Sequence, residues 1–155
     1  MTDSQDNDLE FDNDEPTQPV RHAARVLVVE DDDELRAMIG ARLRRLGFAV
    51  FEAVSGDDAL ALLASMVERR WPSDDVDLIV MDVRMSGTSG LEVAQILRVA
   101  DWVTPVLLMT AYPDVEVLDE ATRLGAAVLG KPFGLDALSS AALAAIAPAT
   151  TRATR

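Results

Sequence analysis

Four short apolar runs in this chain each end on a polar group suited to phosphate or to a hard cation. Residues 26–29 run into Glu30 and Asp31, residues 78–81 into Asp82, residues 106–109 into Thr110, and residues 127–130 into Lys131. Singly, each has an ordinary explanation: acids after a strand cap helices, threonine is frequent at strand ends, and aspartate opens turns. Together they are complementary. Three close carboxylates repel one another unless a divalent cation neutralises them, and an incomplete shell of oxygens suits Mg²⁺ carrying waters and a substrate phosphate. Beside such a cation a carboxylate is itself a competent nucleophile, giving an acyl phosphate, because phosphoryl transfer rests on alignment and charge stabilisation. That chemistry needs no general base, in keeping with a chain whose one histidine, His22, lies at the edge of an acidic segment. Thirteen of the fourteen basic residues are arginine. Lys131 is the single lysine, a compact, rotatable charge placed after an apolar run and before Pro132.

These groups share one edge only if the runs are parallel strands. The five runs (26–29, 49–52, 78–81, 106–109 and 127–130) alternate with segments of helical spacing, and four of the five are continuously apolar, the pattern of strands buried on both faces. The helical faces are Leu35, Met38, Ile39, Leu43 and Leu46, then Ala59, Leu63, Met66 and Val67, then Leu91, Ala94 and Leu97, and then Leu118, Ala121 and Leu124. Gly47 and Gly125 stand where helices end, Ser55 and Asp58 have capping-box spacing, and Asp114 after Pro113 opens a helix. An alanine-rich helix is expected over residues 135–147. The expectation is a doubly wound α/β domain of five βα units. In such sheets ligands bind beyond the carboxyl ends of the strands.

At 155 residues and 49% hydrophobic composition the chain suits one domain. A net charge of −13 opposes non-specific attraction to nucleic acid and anionic membrane, so direct nucleic-acid binding is not expected. Residues 1–24 hold seven acids against Arg21 alone, with few apolar side chains, and read as a disordered acidic tail; residues 148–155, after Pro148, read as a flexible end. The lack of cysteine rules out disulfides and thiolate metal sites. With no apolar leader and no spanning stretch, a cytoplasmic protein without membrane insertion is expected.

Four motifs, in this order, carry a family resemblance: VLVVEDDDELR from Val26, LIVMDVRMSGTSGLEV from Leu78, VLLMTAY from Val106 and GAAVLGKPF from Gly125. Over residues 25–147 the sequence resembles response-regulator receiver domains of two-component signalling. The resemblance implies a sheet of order 2-1-3-4-5 with helices on both faces. It implies Asp82 as phosphoacceptor, Glu30, Asp31, Asp82 and the main-chain carbonyl of Arg84 as ligands of Mg²⁺, and Thr110 and Lys131 as contacts to the phosphoryl group. A cis Lys131–Pro132 bond is frequent in the family. The implied donor is a phosphohistidine on a sensor histidine kinase or a histidine phosphotransfer protein, and the implied output is a downstream protein target. A weak homodimer is a further expectation. On this reading the chain is a stand-alone phosphoacceptor signalling domain rather than an enzyme, assisting its own phosphorylation and dephosphorylation.

Several positions depart from the family pattern. Met85 is followed by Ser86 where proline is usual, which implies a less constrained loop. The aromatic switch position, three before the lysine, is Val128, with Tyr112 as a substitute. The stretch 68–77 is longer than a minimal receiver needs, with Trp71 its expected anchor. One rival reading keeps the fold as a phosphorylation-independent pseudo-receiver that binds partners. Another, a phosphatase of the haloacid-dehalogenase type, wants an acid two residues after the nucleophile, where this chain has Arg84. A flavodoxin-like carrier is disfavoured by the EDDD run from Glu30, which repels phosphate.

Overall fold

The computed structural model describes residues 23–68 and 76–147. The acidic segment up to residue 22, His22 with it, Trp71 and residues 148–155 lie outside them.

Five strands alternate with five helices: β1 (Arg25–Val29), α1 (Asp33–Arg45), β2 (Ala49–Ala53), α2 (Gly56–Glu68), β3 (Leu78–Asp82), α3 (Gly90–Val99), β4 (Val106–Thr110), α4 (Val115–Arg123), β5 (Ala127–Gly130) and α5 (Leu135–Ile146). All strand pairs are parallel and the order is β2-β1-β3-β4-β5, as the resemblance implied. Side chains divide by the two-residue period of a strand. Leu27, Val29, Ile79, Met81, Val106 and Leu108 face Ala59, Leu63, Val93, Ala94, Leu97 and Ala121 of α2, α3 and α4. Val26, Val28, Leu78, Val80, Leu107 and Met109 face Ile39, Leu43, Leu138 and Ala142 of α1 and α5. A fully buried aliphatic side chain contributes roughly 1.5–3 kcal/mol, so covering both faces is what makes the continuous apolar runs stable as strands.

The helix ends follow local chemistry. Asp32 and Asp114 accept the main-chain N–H groups of Leu35 and Val117, and Ser89 forms a capping box with Glu92. Gly47 and Gly125 carry the positive φ angles, 93° and 65°, that end α1 and α4. At α2 the box is offset. Ser55 Oγ accepts the N–H of Asp58, but the Asp58 carboxylate reaches back to Val54 rather than to Ser55.

Two expectations are corrected. β5 is not buried on both faces: it is one of the two edge strands, with Ala127 and Gly130 exposed. Because α4 covers that edge, its inward face is Val117, Ala121 and Leu124, while Leu118 is exposed. At the outer rims of α1 and α2, Met38, Leu46 and Val67 are exposed as well.

Candidate phosphoacceptor and metal site

Glu30, Asp82, Thr110 and Lys131 meet at one edge because each stands at, or one residue past, the end of a parallel strand. Asp82 and Thr110 are the last residues of the central strands β3 and β4. Register pairs Asp82 with Met109, and the β3 ladder continues one step further as Val83 N–H donates to the Met109 carbonyl. Thr110 in turn orients the next strand, since its carbonyl accepts the Lys131 N–H at 2.7 Å, and its own Oγ1 accepts the Tyr112 N–H at 3.1 Å. The Lys131–Pro132 bond is cis, as the resemblance led one to expect.

Glu30 and Thr110 are 1% exposed and Asp82 is 7% exposed, whereas Asp31 faces solvent. Lys131 Nζ lies 3.1 Å from Glu30 Oε2 and 3.4 Å from Asp82 Oδ1. Carboxylate oxygens of Glu30, Asp31 and Asp82 lie within 4.8 Å of one another. Three carboxylates against one ammonium leave an excess of negative charge. Hard oxygen donors at this separation fit a small divalent cation.

Electrostatics at the site reflect that crowding. Burial pushes the Glu30 carboxyl up from its usual value, and the neighbouring Asp82 charge pushes it further against the pull of Lys131. Asp82 is likewise raised by burial, opposed by the Lys131 charge and by a hydrogen bond from the Arg84 main-chain amide. For Lys131, burial disfavours the ammonium, but its bond to Glu30 and the charges of Asp82 and Glu30 outweigh that, and the net direction is up.

Asp32 and Asp33 of the EDDD run do structural work. Asp32 caps α1, and Asp33 pairs with Arg36 at 2.6 Å, leaving Glu30 and Asp31 to face the site. Arg84 is exposed; its guanidinium stacks over the Tyr112 ring with 4.9 Å to the centroid. Tyr112 is 62% exposed and makes that contact at the surface. Val128 is half-buried on β5 and packs against the core beneath α4.

Sequence reasoning missed three contributors. Arg36 donates from Nη1 to the Glu30 carbonyl at 2.9 Å, fixing the turn that aims Glu30; only its i,i+3 spacing from Asp33 hinted at a role. Gly90 packs so tightly that a Cβ there would collide with the Asp82 main-chain carbonyl. Thr88 Oγ1 donates to Asp57 Oδ1 at 2.6 Å, tying the loop after β3 to the start of α2, and nothing in the sequence signals this pairing.

Comparison with known proteins agrees with this geometry. Residues 26–143 match the response regulator receiver domain family. The chain is 37% identical over 116 residues to regulatory protein AtoC of Escherichia coli, covering 74% of this chain but 23% of that protein. It is 29% identical to sporulation initiation phosphotransferase F of Bacillus subtilis, covering 76% of this chain and 89% of that protein. The solved structure of chemotaxis protein CheY4 of Vibrio cholerae superposes with a TM-score of 0.70 at 28% identity, covering 80% of this chain and 99% of that one. With the five-stranded sheet and its acidic edge, these matches make the chain a member of the response regulator receiver domain family.

Proposed function

We propose that this receiver takes a phosphoryl group onto Asp82 from a phosphohistidine donor, with Mg²⁺, and passes the signal on by protein–protein contact. One observation carries the reading: a buried aspartate ends a central strand, with Lys131 Nζ 3.4 Å from Oδ1 and two further carboxylates close enough to share a cation. In the transfer an oxygen of Asp82 forms the new O–P bond as the N–P bond to the donor imidazole breaks. Glu30, Asp31, Asp82 and the Arg84 main-chain carbonyl are the groups that would hold Mg²⁺, which when bound neutralises charge on the phosphoryl oxygens. Lys131 would leave its carboxylate partners to meet one phosphoryl oxygen, and the Thr110 hydroxyl would donate to another.

The partners on this reading are a sensor histidine kinase or a histidine phosphotransfer protein, and a downstream protein. A net charge of −13 argues against direct contact with nucleic acid. None of the described helices is long and apolar enough to cross a membrane. The family includes both forms: the match covers 89% of the sporulation phosphotransferase and 99% of the CheY4 chain, but 23% of AtoC, and the stand-alone form is the one proposed for this receiver. Incubated with Mg²⁺ and a phosphorylated histidine donor, the protein is expected to gain a hydroxylamine-labile phosphate that Asp82→Asn abolishes. Absence of that phosphate from the wild-type protein refutes the proposal.

One observation favours a second reading, a binding module indifferent to phosphorylation: Val128 supplies no ring to move behind Thr110. On that reading, partner affinity is the same for the wild type, Asp82→Asn and the beryllofluoride-treated protein.

A further inference from the structure

The loop that leaves Asp82 carries Arg84, two residues on, whose main-chain carbonyl is a proposed cation ligand. Its stem is closed by hydrogen bonds from Val83 N–H to the Met109 carbonyl and from Gly90 N–H to the Val83 carbonyl, each 2.9 Å. Between these points Ser86 and Gly87 are exposed, and no proline restricts the chain. What holds the outer part of the loop is the start of α2. Thr88 Oγ1 donates to Asp57 Oδ1 at 2.6 Å, the Thr88 carbonyl lies where a Cβ on Gly56 would sit, and the turn at Gly87 rests beside Asp57 Oδ2. The anchor is itself firm. Gly56 is buried, Ser55 Oγ accepts the Asp58 N–H, and Asp58 Oδ2 accepts the Val54 N–H, each at 3.0 Å.

We infer that Thr88 and Asp57 are positioning residues for the phosphoacceptor site: their hydrogen bond clamps the β3–α3 loop to α2 and so presents the main chain at Arg84 to the cation. A loop sampling several conformations offers that main chain only part of the time, and apparent affinity falls in proportion to the competent fraction. The clamp supplies the restraint that a proline after Met85 would otherwise give. It touches neither the cation nor the phosphoryl group, so it should govern how much Mg²⁺ is needed rather than what happens once the site is full. The inference rests on the phosphoacceptor reading for its functional meaning, while its structural core is testable with the metal alone.

The test compares the wild type with Thr88→Val, Thr88→Ser and Asp57→Ala. Mg²⁺ affinity is measured by titration of the unphosphorylated protein, and the Mg²⁺ dependence of phosphate incorporation is measured with acetyl phosphate as donor. Thr88→Val and Asp57→Ala are expected to weaken Mg²⁺ binding and raise the half-saturating Mg²⁺ by about five-fold, the scale of one part-exposed hydrogen bond to a carboxylate. Incorporation at saturating Mg²⁺ stays at the wild-type rate, and Thr88→Ser, which keeps the hydroxyl, restores both values. Unchanged Mg²⁺ affinity in Thr88→Val overturns the inference. So does a loss of thermal stability and maximal rate together that Thr88→Ser fails to rescue, which would mark a general folding role. If wild-type protein binds Mg²⁺ yet gains no phosphate, the phosphoacceptor reading fails, while the metal titration still decides the clamp.

Discussion

On the β1 side of Asp82, the neighbouring carboxylate of Glu30 is 1% exposed and its residue is held from four directions: Ala53 accepts its N–H, Arg36 donates to its carbonyl, and Asp32 and Lys131 donate to its side chain. On the β5 side, Val128 sits half-buried on an edge strand, and the nearby Tyr112 ring lies at the surface against Arg84. Glu30 and Asp82 are thus fixed by strand pairing and burial, while Asp31 faces solvent and Arg84 lies on the loop after β3. The flank on which a conformational readout would depend has fewer constraints. The β1 flank is buried and hydrogen-bonded on every side; the β5 flank is half-buried at an edge of the sheet, held by its pairing with β4.

Four changes probe that contrast. The largest effect is expected on the pinned side from Gly90→Ala, because the new Cβ meets main chain that cannot swing away. It should cost about 1–3 kcal/mol in denaturant unfolding, and displacement of Asp82 should sharply reduce phosphate incorporation. Full incorporation in this variant would show that the pinned flank tolerates more than the packing implies. Lys131→Met leaves Glu30 and Asp82 without their shared cation. The metal-free protein should lose about 1–2 kcal/mol, less than for a fully buried pair because Lys131 is partly solvated. Added Mg²⁺ should raise the melting temperature of this variant by more than that of the wild type.

On the looser side, Val128→Ala should cost about 1 kcal/mol through lost packing and leave phosphate incorporation unchanged. A matching loss of incorporation would couple the two flanks and erase the contrast. The smallest effect is the pH dependence of the metal-free protein. Glu30 and Asp82 hold protons more tightly folded than unfolded, so each contributes stability at low pH that is lost as pH rises from its ordinary value, 4.5 or 3.8, through the raised folded value. Melting temperatures of Asp82→Asn minus wild type should therefore increase with pH across that window, and saturating Mg²⁺ should abolish the trend by favouring the wild type. A flat difference would mean that Asp82 is not strained by its burial.

Most of the pinned flank was legible in the sequence, since strands buried on both faces need continuous apolar runs and their polar ends stand out. Glu30, Asp82, Thr110 and Lys131 could be placed at one edge from that pattern. Contributions arising only when distant segments meet were not legible. Thr88 and Asp57 are 31 residues apart and each reads as an ordinary loop or helix-start residue. Arg98 looks like a surface charge on α3, yet its guanidinium serves the carbonyls of Leu124, Trp102 and Thr104, and burial lowers its pKa. The inward face of α4 was misjudged at Leu118 because a helix over a sheet edge needs a narrower apolar stripe than one over the centre. Helical spacing alone does not tell these apart.

The burial of β3 and β4 on both faces has a consequence for how the chain finds its pairing. In a sheet with one wet face, a slip of one residue exposes oil and buries charge, and is rejected at once. Here every residue of both strands is buried, so apolar contact distinguishes poorly between the correct alignment and its neighbours. Asp82 and Thr110 break that degeneracy: sliding either strand inward by one step would carry a carboxylate or a hydroxyl away from the polar rim and into oil. The residues proposed to handle phosphate are therefore also the marks by which the two central strands know where to stop.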